Sequence, residues 1–260
     1  KLFVTMMIVV ASLSATMAMA GNVVTETYPI KSNYTAISAT NMIEVVLLDT
    51  PKNSVRVEVD DRLLPHLQIT VKGSTLNLSY ANRREVERLR KRNRDLKDTR
   101  VYVSVRGVDT FVASGMAEFE SDMPLNINVL TINASGMAKF DLERVECKAF
   151  NVSISGMAEV DAEVNAEECK FEISGMSDVD IEGRTNHLSL GLSGMSEVSF
   201  EELIARTAKV NVSGMSSAEI CANESITGGV SGMSKLTSYG QAGKINVSTS
   251  GGSSHKHIKR

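Results

Sequence analysis

The chain has 260 residues, 42% of them hydrophobic, and a formal net charge of −3. That is enough apolar material for a sizeable core in one or two domains, and the slightly acidic balance excludes nucleic-acid binding by the molecule as a whole. Trp is absent and Tyr and Phe are few, so the interior is expected to be aliphatic, built from Val, Ile, Leu, Met and Ala.

Residues 1–20 read as a signal peptide. An apolar run follows Lys1 and ends in Ala18-Met19-Ala20, the small-residue pattern that signal peptidase cuts, with cleavage before Gly21. A membrane anchor fits less well: the run is short, Ser and Thr interrupt it, and no basic stop-transfer cluster follows. No later stretch is apolar for long enough to cross a bilayer, so no transmembrane segment is expected in the mature chain. The expected location is periplasmic, cell-surface or secreted.

Residues 21–254 read as one β domain. Over 24–80 the strand candidates are Ile43–Leu48, Val55–Val59, Leu67–Val71 and Leu76–Tyr80, separated by turn-forming clusters such as Lys72-Gly73-Ser74. This part is expected to form the N-terminal cap and the first, irregular coils. Residues 81–100 break the pattern. The run from Arg83 to Arg100 is strongly basic, and Val86, Leu89 and Leu96 give it a thin apolar stripe at roughly helical spacing. A charged loop or short helix projecting from the coil is expected, able to touch phosphates or anionic lipid heads, although most such runs are simply solvated.

From residue 101 to 254 the chain repeats. Ser-Gly-Met begins at Ser114, Ser135, Ser155, Ser174, Ser193, Ser213 and Ser231, at spacings of 18 to 21 residues, and Ser250-Gly251-Gly252 is a worn further copy. A fixed period of this length marks a stacked array. Around Ser174, apolar Cys169, Phe171, Ile173, Val179 and Ile181 alternate with polar residues at period two, so the unit is a strand and not a helix. Each repeat is one coil of two or three short strands, and like residues pile into ladders about 4.8 Å apart. The fold class is therefore all-β: a single-stranded right-handed parallel β-helix, or solenoid, with about 20 residues per rung. Gly115, Gly136, Gly156, Gly175, Gly194, Gly214 and Gly232 are its expected corners, where glycine tolerates the required backbone angles. Residues 255–260 are expected to be a frayed basic tail.

Three features bear on function. The methionines form a ladder of their own. Strict alternation from Ile173 points Met176 outward, but a glycine corner can reset the parity, and a packed or half-covered corner ladder is the expectation, since Met is a common gap-filler. A copper site is disfavoured, because no His or Cys repeats beside the thioethers. Cys147 and Cys169 sit one repeat apart and are expected either as a disulfide or, with Cys221, as small buried thiols. Finally, Glu159, Asp161, Asp178 and Asp180 should share one face across two rungs. That grouping is either a cation- or ligand-binding face or a solvated one. No catalytic motif and no cofactor signature is present.

The Ser-Gly-Met-(Ala/Ser) repeat, with Asn41–Leu48, Val55–Asp61 and Leu67–Leu78 leading into it, resembles the putative auto-transporter adhesin head GIN domain family of exported Bacteroidetes proteins over about residues 30–250. The resemblance implies a β-solenoid with an adhesin or surface-binding role and no catalytic residues. The chain departs from the family where Met stands in place of the commoner Ala or Ser, and in its dense basic insert. The expected function is a non-enzymatic cell-envelope module with a glycan or cell-surface protein as partner. A polysaccharide lyase or hydrolase on the same scaffold, or an envelope accessory protein, are the competing roles.

Overall fold

The computed structural model describes residues 22–260, so the leader expected over 1–20 lies outside the described residues. The chain is mostly β and stacks as a parallel solenoid of about eight turns. Chain order in the first third is β1 (Val23–Pro29), β2 (Ala36–Thr40), β3 (Ile43–Leu48), β4 (Ser54–Asp60), β5 (Leu67–Lys72), β6 (Thr75–Tyr80), α1 (Arg83–Arg92) and β7 (Thr99–Ser104). The regular part follows as β8 (Thr110–Gly115), β9 (Glu118–Ser121), β10 (Leu125–Asn126), β11 (Val129–Gly136), β12 (Lys139–Gly156), β13 (Glu159–Gly175), β14 (Asp178–Gly194), β15 (Glu197–Val212), β16 (Ser217–Val230), β17 (Lys235–Tyr239), β18 (Lys244–Thr249) and β19 (Ser254–Ile258).

Each full rung has two legs. In β13, Val160, Ala162 and Val164 are buried on the first leg and Cys169, Phe171 and Ile173 on the second. The inward parity therefore switches at a bend over 165–168, while it runs unbroken through the glycine corner to Ser177, Val179 and Ile181 of the next rung. Registers between neighbours pair like with like: Ile154 lies beside Ile173, and Gly156 beside Gly175. Inward ladders thus fill one continuous core along the axis. The core is not purely aliphatic. Phe111, Phe119, Phe140, Phe150, Phe171 and Phe200 are all fully buried, with neighbouring rings 4.5 to 5.9 Å apart. The two-legged coil leaves a slot wide enough for a ring at intervals along its length, and stacked or tilted rings fill it well.

The cap is not the first coils in sequence order. On one face β2 lies between β6 and β8; on the other, β3 lies between β7 and β9. The chain makes the β2–β3 rung, goes outward to build β4–β7 on one side of it, and then crosses to start β8 on the other. Beyond β6 and β7 the pairing turns antiparallel: β5 closes one face, and β4 followed by β1 closes the other. Buried Asp60, gripped by Arg62 at 2.7 and 2.8 Å, sits in this cap, and the guanidinium holds its carboxyl below the ordinary value. The C-terminal residues expected to fray instead form β19, paired in register with β17.

Candidate functional site

The glycine corners carry positive φ at all seven repeat positions, from 72° to 136°. A Cβ at Gly136, Gly156, Gly175, Gly194, Gly214 or Gly232 would stand under 3.0 Å from the backbone of the glycine one rung below. Consecutive corners are also tied together: the N–H of Met157, Met176, Met195, Met215 and Met233 donates to the carbonyl of the preceding rung's glycine at 2.7–2.8 Å. The residue after each Met turns inward and is buried. From Ser177 onward it is a serine whose Oγ accepts from the buried N–H one rung below. The small Ala or Ser there is needed because it packs inside the corner.

That parity settles the methionines. They are exposed, from 40% at Met116 to 68% at Met233, so of the packed or half-covered ladder that was expected the packed form is corrected to an outward ridge, about half covered along most of its length. The glycine corner bends the chain without resetting its alternation; the reset falls at the other bend. An eighth member was missed in the sequence. Thr40 pairs with Ser114, which places Asn41-Met42 at the Gly-Met corner, and Asn41 adopts φ 61° in place of glycine. Its signal was the alternation of Ile37 and Ala39 before it and Ile43 and Val45 after it, together with the tolerance of Asn for left-handed angles.

Where the cap rung should have its own corner, it carries α1. Asn82 caps the helix by accepting from the N–H of Glu85 at 3.2 Å, and the Arg83–Glu87 and Arg88–Glu85 pairs brace its surface. Val86 is buried and Leu89 packs partly against the core, so the thin apolar stripe seats the helix on the coil. Between α1 and the start of the ridge lies a groove of about 220 Å³, floored by Met42, Met116, Met137 and Met157 and walled by Tyr80 and Val86. Arg83 and Glu87 stand at its rim. The Tyr80 hydroxyl donates to Thr99 at 2.7 Å; burial raises its pKa, while the neighbouring Arg90 charge works the other way. Arg90 gives one nitrogen to Asp98 at 2.7 Å, and its Nε and Nη2 are buried with no hydrogen-bond partner among the described residues.

Glu159 and Asp161 lie in register with Asp178 and Asp180, so the four carboxylates do share a face, and all four are exposed. Glu159 is taken by Lys139 at 3.0 Å. Burial and the charges of Asp161 and Asp178 push the Asp180 carboxyl up. Among the described residues no three His, Cys, Asp or Glu side chains are grouped to hold a metal ion. All three cysteines are free; Cys147 pairs with Ala166 and Cys169 with Phe150, three residues out of register for a bridge. Burial pushes the Cys147 thiol up to about 11 and Cys169 to about 12, and Cys147 is only half-buried. Shallow polar hollows follow the legs, one of them lined by Ser153, Ser174, Ser193 and Asn211.

The model of a family described as "Putative auto-transporter adhesin, head GIN domain" matches residues 33–242. Similar solved structures include a "putative adhesin" from Parabacteroides distasonis, 18% identical, TM-score 0.78, covering 92% of this chain and 98% of that one. A "putative lipid binding protein" from the same species is also 18% identical, with a TM-score of 0.76 and the same coverage. A "putative adhesin" from Parabacteroides merdae is 18% identical with a TM-score of 0.75, covering 92% and 97%. At that identity the likeness speaks for the fold. No curated protein matches the chain.

Proposed function

Since the chain belongs to the auto-transporter adhesin head GIN domain family, whose model spans residues 33–242, we propose that it is a non-enzymatic adhesion module that docks a protein surface along its methionine ridge. The exposed ridge carries this reading. Seven regularly spaced methionines supply most of the exposed large apolar side chains among the described residues and follow one corner of the coil, and such stripes mark interaction sites. Thioether side chains are flexible and polarizable, so one ridge adapts to an irregular partner. A protein is favoured over a glycan as partner. Among the described residues the exposed large apolar side chains are methionine, valine and isoleucine, and none is an aromatic ring of the kind that stacks on a sugar face. The leader expected over residues 1–20 supports action in the envelope or outside the cell, and no helix among the described residues is long and apolar enough to cross a membrane.

The test uses the distal ridge. Beads coated with the chain are measured for retention on immobilised extracellular proteins and, in parallel, on a glycan array. Changing Met176, Met195, Met215 and Met233 together to Gln keeps side-chain length and removes the apolar stripe. Retention on protein is expected to fall by about tenfold or more, the loss of a few buried methylene groups. Unchanged retention, binding confined to glycans, or turnover of a polysaccharide would each sink the reading.

A further inference from the structure

The methionine ridge has two unlike flanks. Two residues past each Met, and again two further on, outward columns run down the leg that follows the corner. In the middle of the rod they carry Glu159 and Asp161, then Asp178 and Asp180, then Glu197, with Glu182 beyond Asp180. The cations on this leg are already taken: Lys139 by Glu159 at 3.0 Å, Arg144 by Glu163 at 3.0 Å and Arg260 by Glu201 at 2.9 Å. Asp161, Asp178, Asp180, Glu182 and Glu197 are exposed and have no ion-pair partner among the described residues. The next cation in the first column is Lys235, two rungs beyond Glu197. Like charges stacked about 4.8 Å apart repel. Burial and then that repulsion raise the Asp180 carboxyl, and the charge of Glu202 ahead of burial raises Glu182. On the opposite flank the column next to the methionines is Ser in all seven repeats. The column beyond it holds one charge, Glu172, with Lys170 at 3.6 Å.

An apolar stripe with carboxylates along one side matches a helix of opposite pattern. A helix laid along the rod advances about 5.4 Å per turn, against about 4.8 Å per rung. Over the three steps from Met157 to Met215 the two repeats slip by about 2 Å, which flexible Met and Lys side chains absorb. Apolar residues at i, i+4, i+7 and i+11 then meet successive methionines, and basic residues on one edge meet the carboxylates. The fold already seats such a helix on its own ridge. The one α-helix among the described residues, α1, has six basic and two acidic side chains and meets Met42, Met116, Met137 and Met157 through Val86. Glu44 and Glu118 stand in the acidic column beside it.

We propose that the partner docked on the open ridge is a cationic amphipathic helix, its apolar stripe on Met157, Met176, Met195 and Met215 and its basic edge over Asp161, Asp178 and Asp180. This rests on the adhesion reading and gives the partner its chemistry. Fluorescence anisotropy with the full chain tests it. The probes are an Ala-rich peptide of about 18 residues with leucines at that spacing and lysines along one edge, its Glu-for-Lys counterpart, and a peptide of the first composition with the leucines dispersed. The Lys peptide is expected to bind, and the other two to bind at least about tenfold more weakly. Asp161→Asn, Asp178→Asn and Asp180→Asn together relieve repulsion, so the variant should fold. It should weaken the Lys peptide by about tenfold, the sum of three exposed ion pairs, and flatten its salt dependence. Met176→Gln with Met195→Gln should weaken it by a similar factor, while Glu172→Gln on the uncharged flank leaves it unchanged. Equal binding of the Lys and Glu peptides, equal binding of the dispersed peptide, or indifference to either set of substitutions would overturn the proposal. The bead assay judges the adhesion reading separately. Retention lost in the four-methionine variant while the Lys and Glu peptides bind alike leaves that reading standing and removes only the cationic partner.

Discussion

At Gly175 two constraints meet: a φ of 117°, and a neighbouring carbonyl that a Cβ would approach to 2.1 Å. Gly175→Ala is expected to destabilise the chain by about 2–5 kcal/mol, the sum of left-handed strain and overlap with backbone that cannot move without shifting the whole stack. Chemical denaturation measures it, and a loss within error of zero would mean that the corners are not stacked as described. Ser196 offers a subtler case. Its Oγ accepts from the N–H of Ser177 and donates to the carbonyl of Gly175, both at 3.2 Å. Ser196→Ala strands a buried N–H and should cost about 1–3 kcal/mol, whereas Met195→Gln beside it should be nearly neutral. The glycines of the repeat were legible in the sequence because a corner stacked on the corner of the rung below leaves no room for a Cβ. The methionine direction was legible too. Alternation from Ile173 points Met176 outward, and the error lay in assigning the parity reset to the glycine corner when 165–168 supplies it. Asn41 was hidden because a left-handed Asn replaces the Gly of the motif, and Arg90 because nothing in a charge run tells which of its members is buried.

Elements differ in how far local sequence defines them. Rungs β12 to β15 are long strands with like columns, and any one of them predicts the next. The cap is different. Strands β4 to β7 read individually as strands, yet nothing local says that β2–β3 will be sandwiched between β6–β7 and β8–β9, because that choice is made by non-local pairing. Helix α1 was readable as a basic segment with a thin apolar stripe, but its seat over the methionines follows from where the cap rung's corner falls. The last element, β19, carries a testable weakness. His255 and His257 replace the aliphatic residues of the inward columns, and one ring nitrogen of each meets the buried Ser238 hydroxyl, at 2.9 and 3.0 Å. Burial, and then the proximity of His257, depresses the His255 pKa below its ordinary value. The unfolded segment therefore binds a proton more readily than the folded one. Stability of this rung is expected to be full above about pH 6.5, to fall as the pH drops through and below that value, and to level off once the folded imidazole also protonates. Hydrogen exchange of the β19 amides should accelerate between pH 7 and pH 5, beyond the intrinsic pH trend, while β13 does not. Replacing His255 with Leu should remove most of the difference, and equal behaviour of the two strands would contradict the assignment.

At the scale of the whole rod the two ends are protected in different ways. A solenoid exposes strand edges wherever it stops, and free edges recruit other chains. At the N-terminal end the antiparallel strands β5 and β4–β1 lie over the last parallel pairs, so the edges there belong to short, differently directed segments. Among the described residues β18 and β19, the last rung, pair on one side only, and this rung carries Lys244, Lys256, Lys259 and Arg260. The charges do there what the hairpins do at the other end. Ending the chain after Gly243 exposes the next edge, which includes Ile226, Gly228, Gly229 and Val230 on β16 and has no basic residue between Ser225 and Val230. Nearest-neighbour stacking predicts that the shortened chain keeps its strand content, since each rung is held chiefly by the rungs beside it. Its new edge should make it associate. Circular dichroism close to that of the full chain, with light scattering that rises with concentration, is the expected pair of results. Introducing Thr227→Lys into the shortened chain should restore the monomer, because the added charge sits on the exposed edge itself. A shortened chain that stays monomeric at the concentrations where the full chain does would show that the terminal lysines are incidental. One that loses its strand content would show that β18 and β19 fasten the whole stack instead of guarding its end.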